Sequence, residues 1–70
     1  MKYILISLVN GSGAVIAQEY YPIDKNIGKC VKHCLSYHKW CVDMQMGDQI
    51  VISEYYSSEA VPMDPKNNEV

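Results

Sequence analysis

No arginine occurs among the 70 residues. Arginine is the preferred side chain for bidentate phosphate and base contacts, so its absence weighs against a dedicated nucleic-acid binder. Cysteine is scarce too: Cys30, Cys34 and Cys41 cannot all pair within one chain. They share one stretch, where an (i, i+4) helical spacing is a poor geometry for a disulfide. Three reduced, mostly buried thiols in a cytoplasmic protein are therefore expected, not a disulfide scaffold. No CxxC knuckle is present. No apolar run approaches the ~18 residues of a membrane span. Lys2 and the run from Tyr3 to Val9 resemble a short secretory signal, but Asn10-Gly11-Ser12-Gly13 interrupts its apolar core. A catalytic, cofactor or phosphate-binding motif is likewise missing, so no enzyme activity and no cofactor are expected.

What the chain does have is organised around Lys25 to Cys41, KNIGKCVKHCLSYHKWC. At 3.6 residues per turn, Ile27, Cys30, Val31, Cys34, Leu35, His38, Cys41 and Val42 share one face. Lys29, Lys32, His33, Ser36, Lys39 and Trp40 collect on the other. Asp24 stands where an N-cap belongs, and Gly28 weakens the interior by roughly 1 kcal/mol against Ala. The pattern predicts one amphipathic helix.

Before it, Tyr3 to Val9 is β-rich and apolar on both faces, with Ile4, Ile6 and Leu8 on one and Tyr3, Leu5 and Val9 on the other. Asn10-Gly11-Ser12-Gly13 supplies the positive-φ residues of a hairpin turn, and Ala14 to Tyr21 returns. After it, Val42, Met44 and Met46 alternate with Asp43 and Gln45, Gly47-Asp48 forms a turn, and Gln49 to Tyr56 reads as a strand. The expected fold is α+β: a small antiparallel sheet, ββαββ, with the helix on one face. A helix extended to about Met46, with Gly47 as its C′ residue, gives ββαβ instead. Residues 1–56 form one domain, and 57–70, with two prolines and no pattern, read as a polar, disordered tail.

Charge is uneven beneath a net −2. Residues 25–41 carry four lysines and no acid, whereas 42–70 carry one lysine against six acids. A basic helix face bearing Trp40 fits contact with an acidic protein surface or phosphate. Cys30, Cys34, His38 and Cys41 are zinc-ligand types at helical spacing, but one straight helix cannot arrange four ligands tetrahedrally. The same residues serve as small core groups, and no metal is expected. Cys34 with His38 as a nucleophile pair lacks an oxyanion turn.

A single helix covers one sheet face. The other is expected to expose Tyr3, Leu5, Val9, Val51 and one ring from each of the pairs Tyr20-Tyr21 and Tyr55-Tyr56, an apolar area that a soluble monomer rarely leaves bare. These features predict a non-enzymatic protein-binding module, a homodimer, that blocks a surface on a larger partner. By size and composition it fits the accessory and inhibitor proteins of phages and mobile elements. The expected contact residues are Tyr20, Tyr21, Tyr55, Tyr56, Trp40, Lys29, Lys32 and Lys39. The alternative is weak nucleic-acid binding by the Lys/Trp helix face.

Overall fold

The computed structural model describes residues 1–40 and 45–70. Strand β1, Lys2–Val9, lies at the centre of a three-stranded antiparallel sheet, flanked by β2, Val15–Pro22, and β3, Gln49–Tyr56. Its central place follows from its composition, since only a strand apolar on both faces can be covered on both. Helix α1, Ile27–Tyr37, crosses one face. The fold is α+β as expected, but the order is ββαβ: the further strand expected over Val42 to Met46 falls largely on residues outside those described, and the described chain has three strands.

The β1–β2 turn is built by Asn10. Its Oδ1 accepts from the N–H of Ser12 (3.1 Å) and of Ala14 (3.0 Å), and Gly13 takes φ +88°. The register slips between Leu8 and Val9, so that Leu8 faces Ala17 and Val9 faces Val15, and Ile16 bulges out of the ladder. Asp48 ties this turn to the one before β3, accepting from Gly11 N–H (3.0 Å) and Gln45 N–H (2.8 Å). A Cβ on Gly47, which takes φ +92°, would sit 3.5 Å from Gly11 Cα.

Asn26, not Asp24, caps α1: its Oδ1 accepts from Lys29 N–H at 3.1 Å. Asp24 is consumed by the preceding turn, closed by Lys25 N–H to Pro22 O (3.1 Å), so the helix starts later than the composition implies. Gly28 is a fitting residue beneath that cap, because a Cβ there would sit 3.2 Å from Asn26 Oδ1. At the other end His38 N–H returns to Cys34 O, and Lys39 adopts φ +57°. A non-glycine residue in the left-handed region stops the helix and redirects the chain. Trp40 is thereby turned into the core, 7% exposed, and does not continue the basic face.

The core comprises Ile4, Ile6 and Leu8 of β1, Tyr21 of β2, Cys30 and Cys34 of α1, and Trp40. Full burial of each aliphatic contributes about 1.5–3 kcal/mol. His33, predicted beside the lysines, instead leans toward the sheet and bridges Tyr21 Oη through Nδ1 at 2.8 Å.

The segment after β3, expected from its composition to be a polar, disordered tail, makes contacts with the sheet. It crosses the far sheet face, where Val61 N–H donates to Tyr3 Oη (3.1 Å), and ends in a 3₁₀ turn, Pro65–Asn68, capped by Asp64. Asn67 is buried at the outer side of β2, its Nδ2 donating to Tyr20 O (2.9 Å) and to Glu19 Oε1 (3.0 Å). Val70 closes against the core. Polar side chains bind here because an edge strand offers backbone groups that β1 leaves unpaired.

Candidate functional site

Which surface remains available depends on where the helix and the C-terminal segment fall. On the far face, Tyr3 is 8% exposed and packs edge-on against Tyr20 (6.2 Å between ring centroids), which packs in turn against Tyr55 (5.2 Å). Val61 borders this tyrosine cluster. The expected rings do point to this face, where Tyr3 is buried, Leu5, Val9 and Tyr20 are partly buried, and Val51 (42%) and Tyr55 (38%) are exposed.

Further apolar surface lies along β3 on the helix side. Lys2 to Val9 pairs with β3 so that Ile6 faces Ile52 and Ile4 faces Glu54, which places Ile50, Ile52, Glu54 and Tyr56 on the helix side. The helix reaches over β1 and β2 but not over β3. Between its first turn and β3 runs a groove of about 470 Å³, lined by Ile4, Ile23, Lys25, Ile27, Ile52, Ser53 and Glu54. Ile27 belongs to the predicted apolar stripe and yet is half exposed. The reason is that the strand opposite it stands away, leaving the gap unfilled.

At the groove's end Lys2 Nζ meets Glu54 Oε1 at 3.3 Å and lies 5.4 Å from the Tyr56 ring centre, while Tyr56 Oη donates to Glu54 Oε2 at 2.8 Å. The Tyr56 hydroxyl and then the Lys2 ammonium hold the Glu54 carboxyl below its ordinary range, and Glu54 raises Lys2 in return. All three groups are solvent-facing, and this cluster marks the rim with polarity, adding little stability. Lys25 adds a second cation to the groove.

Of the predicted contact residues, Tyr55 and Tyr56 are exposed beside one another on β3, on opposite faces. Tyr20 is partly buried. Lys29, Lys32 and Lys39 are exposed and do not line the groove. Tyr21 (0% exposed) and Trp40 (7% exposed) are core residues. Periodicity put Trp40 with the lysines only by assuming that the helix continued through Lys39. The groove residues Ile23 and Ile52 were missed. Their signal was two apolar residues, one in the turn before the helix and one in a strand, with no periodic relation.

The thiols and histidines are occupied by packing. Cys30 and Cys34 are fully buried. Burial pushes the Cys30 thiol up, and burial followed by the nearby Glu19 charge pushes Cys34 up to about 11. His38 Nε2 donates to Glu19 Oε2 (2.7 Å), whose other oxygen takes Asn67. Among the described residues no three His, Cys, Asp or Glu side chains converge on one point, and Cys41 lies outside them.

A pH dependence follows. Cys34 keeps its proton in the fold to about pH 11, against 9.0 for an ordinary thiol. Between those values the unfolded chain binds fewer protons, so stability is whole below pH 9.0 and falls as pH rises toward 11. Tyr21, pushed up chiefly by burial, acts in the same direction. The urea midpoint should decline across this interval, and Cys34→Ala should flatten the decline. An unchanged slope in that variant would assign the decline to other groups.

Fold and surface together define a small α+β domain with one helix on a three-stranded antiparallel sheet and an apolar groove beside an edge strand. None of its described helices is long and apolar enough to cross a membrane. Comparison with family models, curated proteins and solved structures finds no match to this chain.

Proposed function

We propose that this chain is a non-enzymatic protein-binding module that acts by occupying a surface on a larger partner. The observation that carries the reading is the groove between α1 and β3, where Ile4, Ile23, Ile27 and Ile52 surround about 470 Å³ of open space rimmed by Lys25 and the Lys2–Glu54 pair. Apolar walls with a few polar groups at the margin suit an inserted aliphatic or aromatic side chain. The partner's complementary element is an apolar knob flanked by an acidic residue, which Lys25 meets. Such blocking is the work of accessory and inhibitor proteins like those of phages and mobile elements, and it needs no catalytic group. Mimicry of nucleic-acid charge is a poor fit: Asp48 caps two backbone N–H groups and Glu54 is paired with Lys2.

The experiment compares immobilised wild type with Ile27→Asp and with Lys32→Glu/Lys39→Glu in a lysate of cells that express the protein, read by quantitative mass spectrometry. A protein retained by the wild type and by the lysine variant, but lost at least tenfold with Ile27→Asp, is the expected result. Retention that survives Ile27→Asp and disappears with the lysine variant would overturn the groove as the site. It would favour the second reading, weak binding of phosphate chains or acidic surfaces by Lys29, Lys32 and Lys39. That reading retains three exposed cations but has lost its aromatic, since Trp40 is in the core. Nucleic-acid binding would also weaken steeply with salt.

A further inference from the structure

The two edges of the sheet are treated in opposite ways. The outer side of β2 ends in Pro22, carries the bulge at Ile16, and is closed by Asn67 on Tyr20 O. Proline, bulges and covering segments are the usual protections of an edge strand. Among the described residues none of these is present on β3 from Gln49 to Tyr56, whose one charge, Glu54, is paired with Lys2.

Which backbone groups β3 leaves free can be read from its pairing. Met1 and Ser57 exchange both backbone hydrogen bonds, Met1 N–H to Ser57 O and Ser57 N–H to Met1 O (2.8 Å). In an antiparallel ladder such pairs alternate with non-bonded ones. Counting back from Ser57, Tyr55, Ser53, Val51 and Gln49 point their N–H and C=O at β1. Tyr56, Glu54, Ile52 and Ile50 point theirs outward. Among the described residues nothing bonds to those outward groups.

The geometry points to a second copy of this chain as the occupant: β3 pairs antiparallel with β3 of a partner subunit about a two-fold axis at Ser53, joining two three-stranded sheets into one of six strands. The sequence IVISEYY is self-complementary in that register. β-Branched residues lead and tyrosines follow, so Val51 faces the partner's Tyr55 on one side of the sheet and Ile50 faces the partner's Tyr56 on the other. Each pair occurs twice by symmetry. Aromatic–β-branched pairs are among the most favourable cross-strand neighbours. Ile52 faces the partner's Glu54, and Ser53 faces its own copy. Sliding one step toward the C-terminus opposes Glu54 to the partner's Glu54, two like charges. Sliding the other way sets Gln49 against Tyr55 and Ile50 against Glu54, and the aromatic pairs are lost. Every outward N–H and C=O from Ile50 to Tyr56 finds a partner in the Ser53 register, and the exposed Val51, Ile52, Tyr55 and Tyr56 lose their open flank. An interface of this kind is isologous and closes after two copies. The seam shares Ile52, Ser53 and Glu54 with the groove's lining, and the two proposals are told apart by their readouts: self-association through the β3 edge here, and retention of a different protein for the groove.

The test is light scattering on the full chain across a concentration series, with three variants. The wild type should pass from monomer to dimer. Ile52→Pro removes an outward N–H and leaves the β1 ladder untouched, so it should melt cooperatively and remain monomeric at every concentration. Tyr56→Pro, at the strand end, gives the same reading if Ile52→Pro does not fold. In the Ser53 register the facing Cα atoms are about 4.5 Å apart, a non-bonded pair within disulfide reach. Ser53→Cys under mild oxidation should therefore give a covalent dimer that the parent protein does not, and adding Ile52→Pro should abolish it. A wild type monomeric throughout, or a folded Ile52→Pro that dimerises as the wild type does, overturns the proposal. A dimer lost with Ile52→Pro but never cross-linked by Ser53→Cys overturns the register.

Discussion

Trp40→Ala should lower the unfolding free energy by about 3–5 kcal/mol, the usual cost of emptying a buried indole site. A domain of this length has roughly 3.5–10 kcal/mol in total, so the variant should be partly or wholly unfolded at ambient temperature. Each kcal/mol is worth about 4–8 °C of melting temperature at this size, which makes a loss beyond about 12 °C the expected reading in a thermal scan. The effect is large because Trp40 does two things. It completes the cluster formed by Ile4, Ile6, Leu8 and Tyr21, and it pins the chain where Lys39 has turned it at φ +57°. Lys32→Ala, on the exposed side of α1, should change stability by under about 0.5 kcal/mol. If Trp40→Ala melted with the wild type, the indole would have to be a surface group.

Asn67→Ala should cost about 2–4 kcal/mol, more than its place three residues from Val70 would lead one to expect. Its amide gives up a neutral hydrogen bond to Tyr20 O and a charge-assisted one to Glu19, worth about 1 and 1.5–3 kcal/mol. Glu19 then keeps only His38, and the outer side of β2 loses its cover. Asn67→Asp should be worse at neutral pH, because it sets a second carboxylate beside Glu19, and should recover part of the loss in acid as one of the two takes a proton. Urea unfolding of the three proteins at neutral and acid pH reads both effects. Equal midpoints for wild type and Asn67→Ala would mean that the C-terminal segment contributes nothing to the fold. Removing residues 58–70 should have a larger effect still and should add self-association through the uncovered β2.

Much of the architecture is legible locally. Tyr3 to Val9 is apolar at every position but one, so it must be central; Asn10 and Gly13 make a hairpin whatever surrounds them; and Cys30, Val31, Cys34 and Leu35 repeat at helical spacing. The alternation of Tyr20 and Tyr55 against Tyr21 and Tyr56 also assigns rings to opposite faces, as the ladder has them. The start of the C-terminal turn was there to be read in Asp64-Pro65, a cap followed by proline at the first position, although a polar composition argues for disorder.

Other features depend on contacts between distant parts of the chain. Nothing in a strand's own alternation says which neighbour it takes, so the order β2-β1-β3, and with it the free edge, is a tertiary outcome. Trp40 shares the lysines' side by helical arithmetic, and one residue in the left-handed region reverses that placement. Asn67 is polar and periodic with nothing, and it is buried because an edge carbonyl and a carboxylate lie where its amide can reach them. Sequence pattern determines which segments can be strand or helix, since those periodicities are local. Burial of a polar residue, and exposure of an apolar one such as Ile52, are decided by what the rest of the fold leaves uncovered.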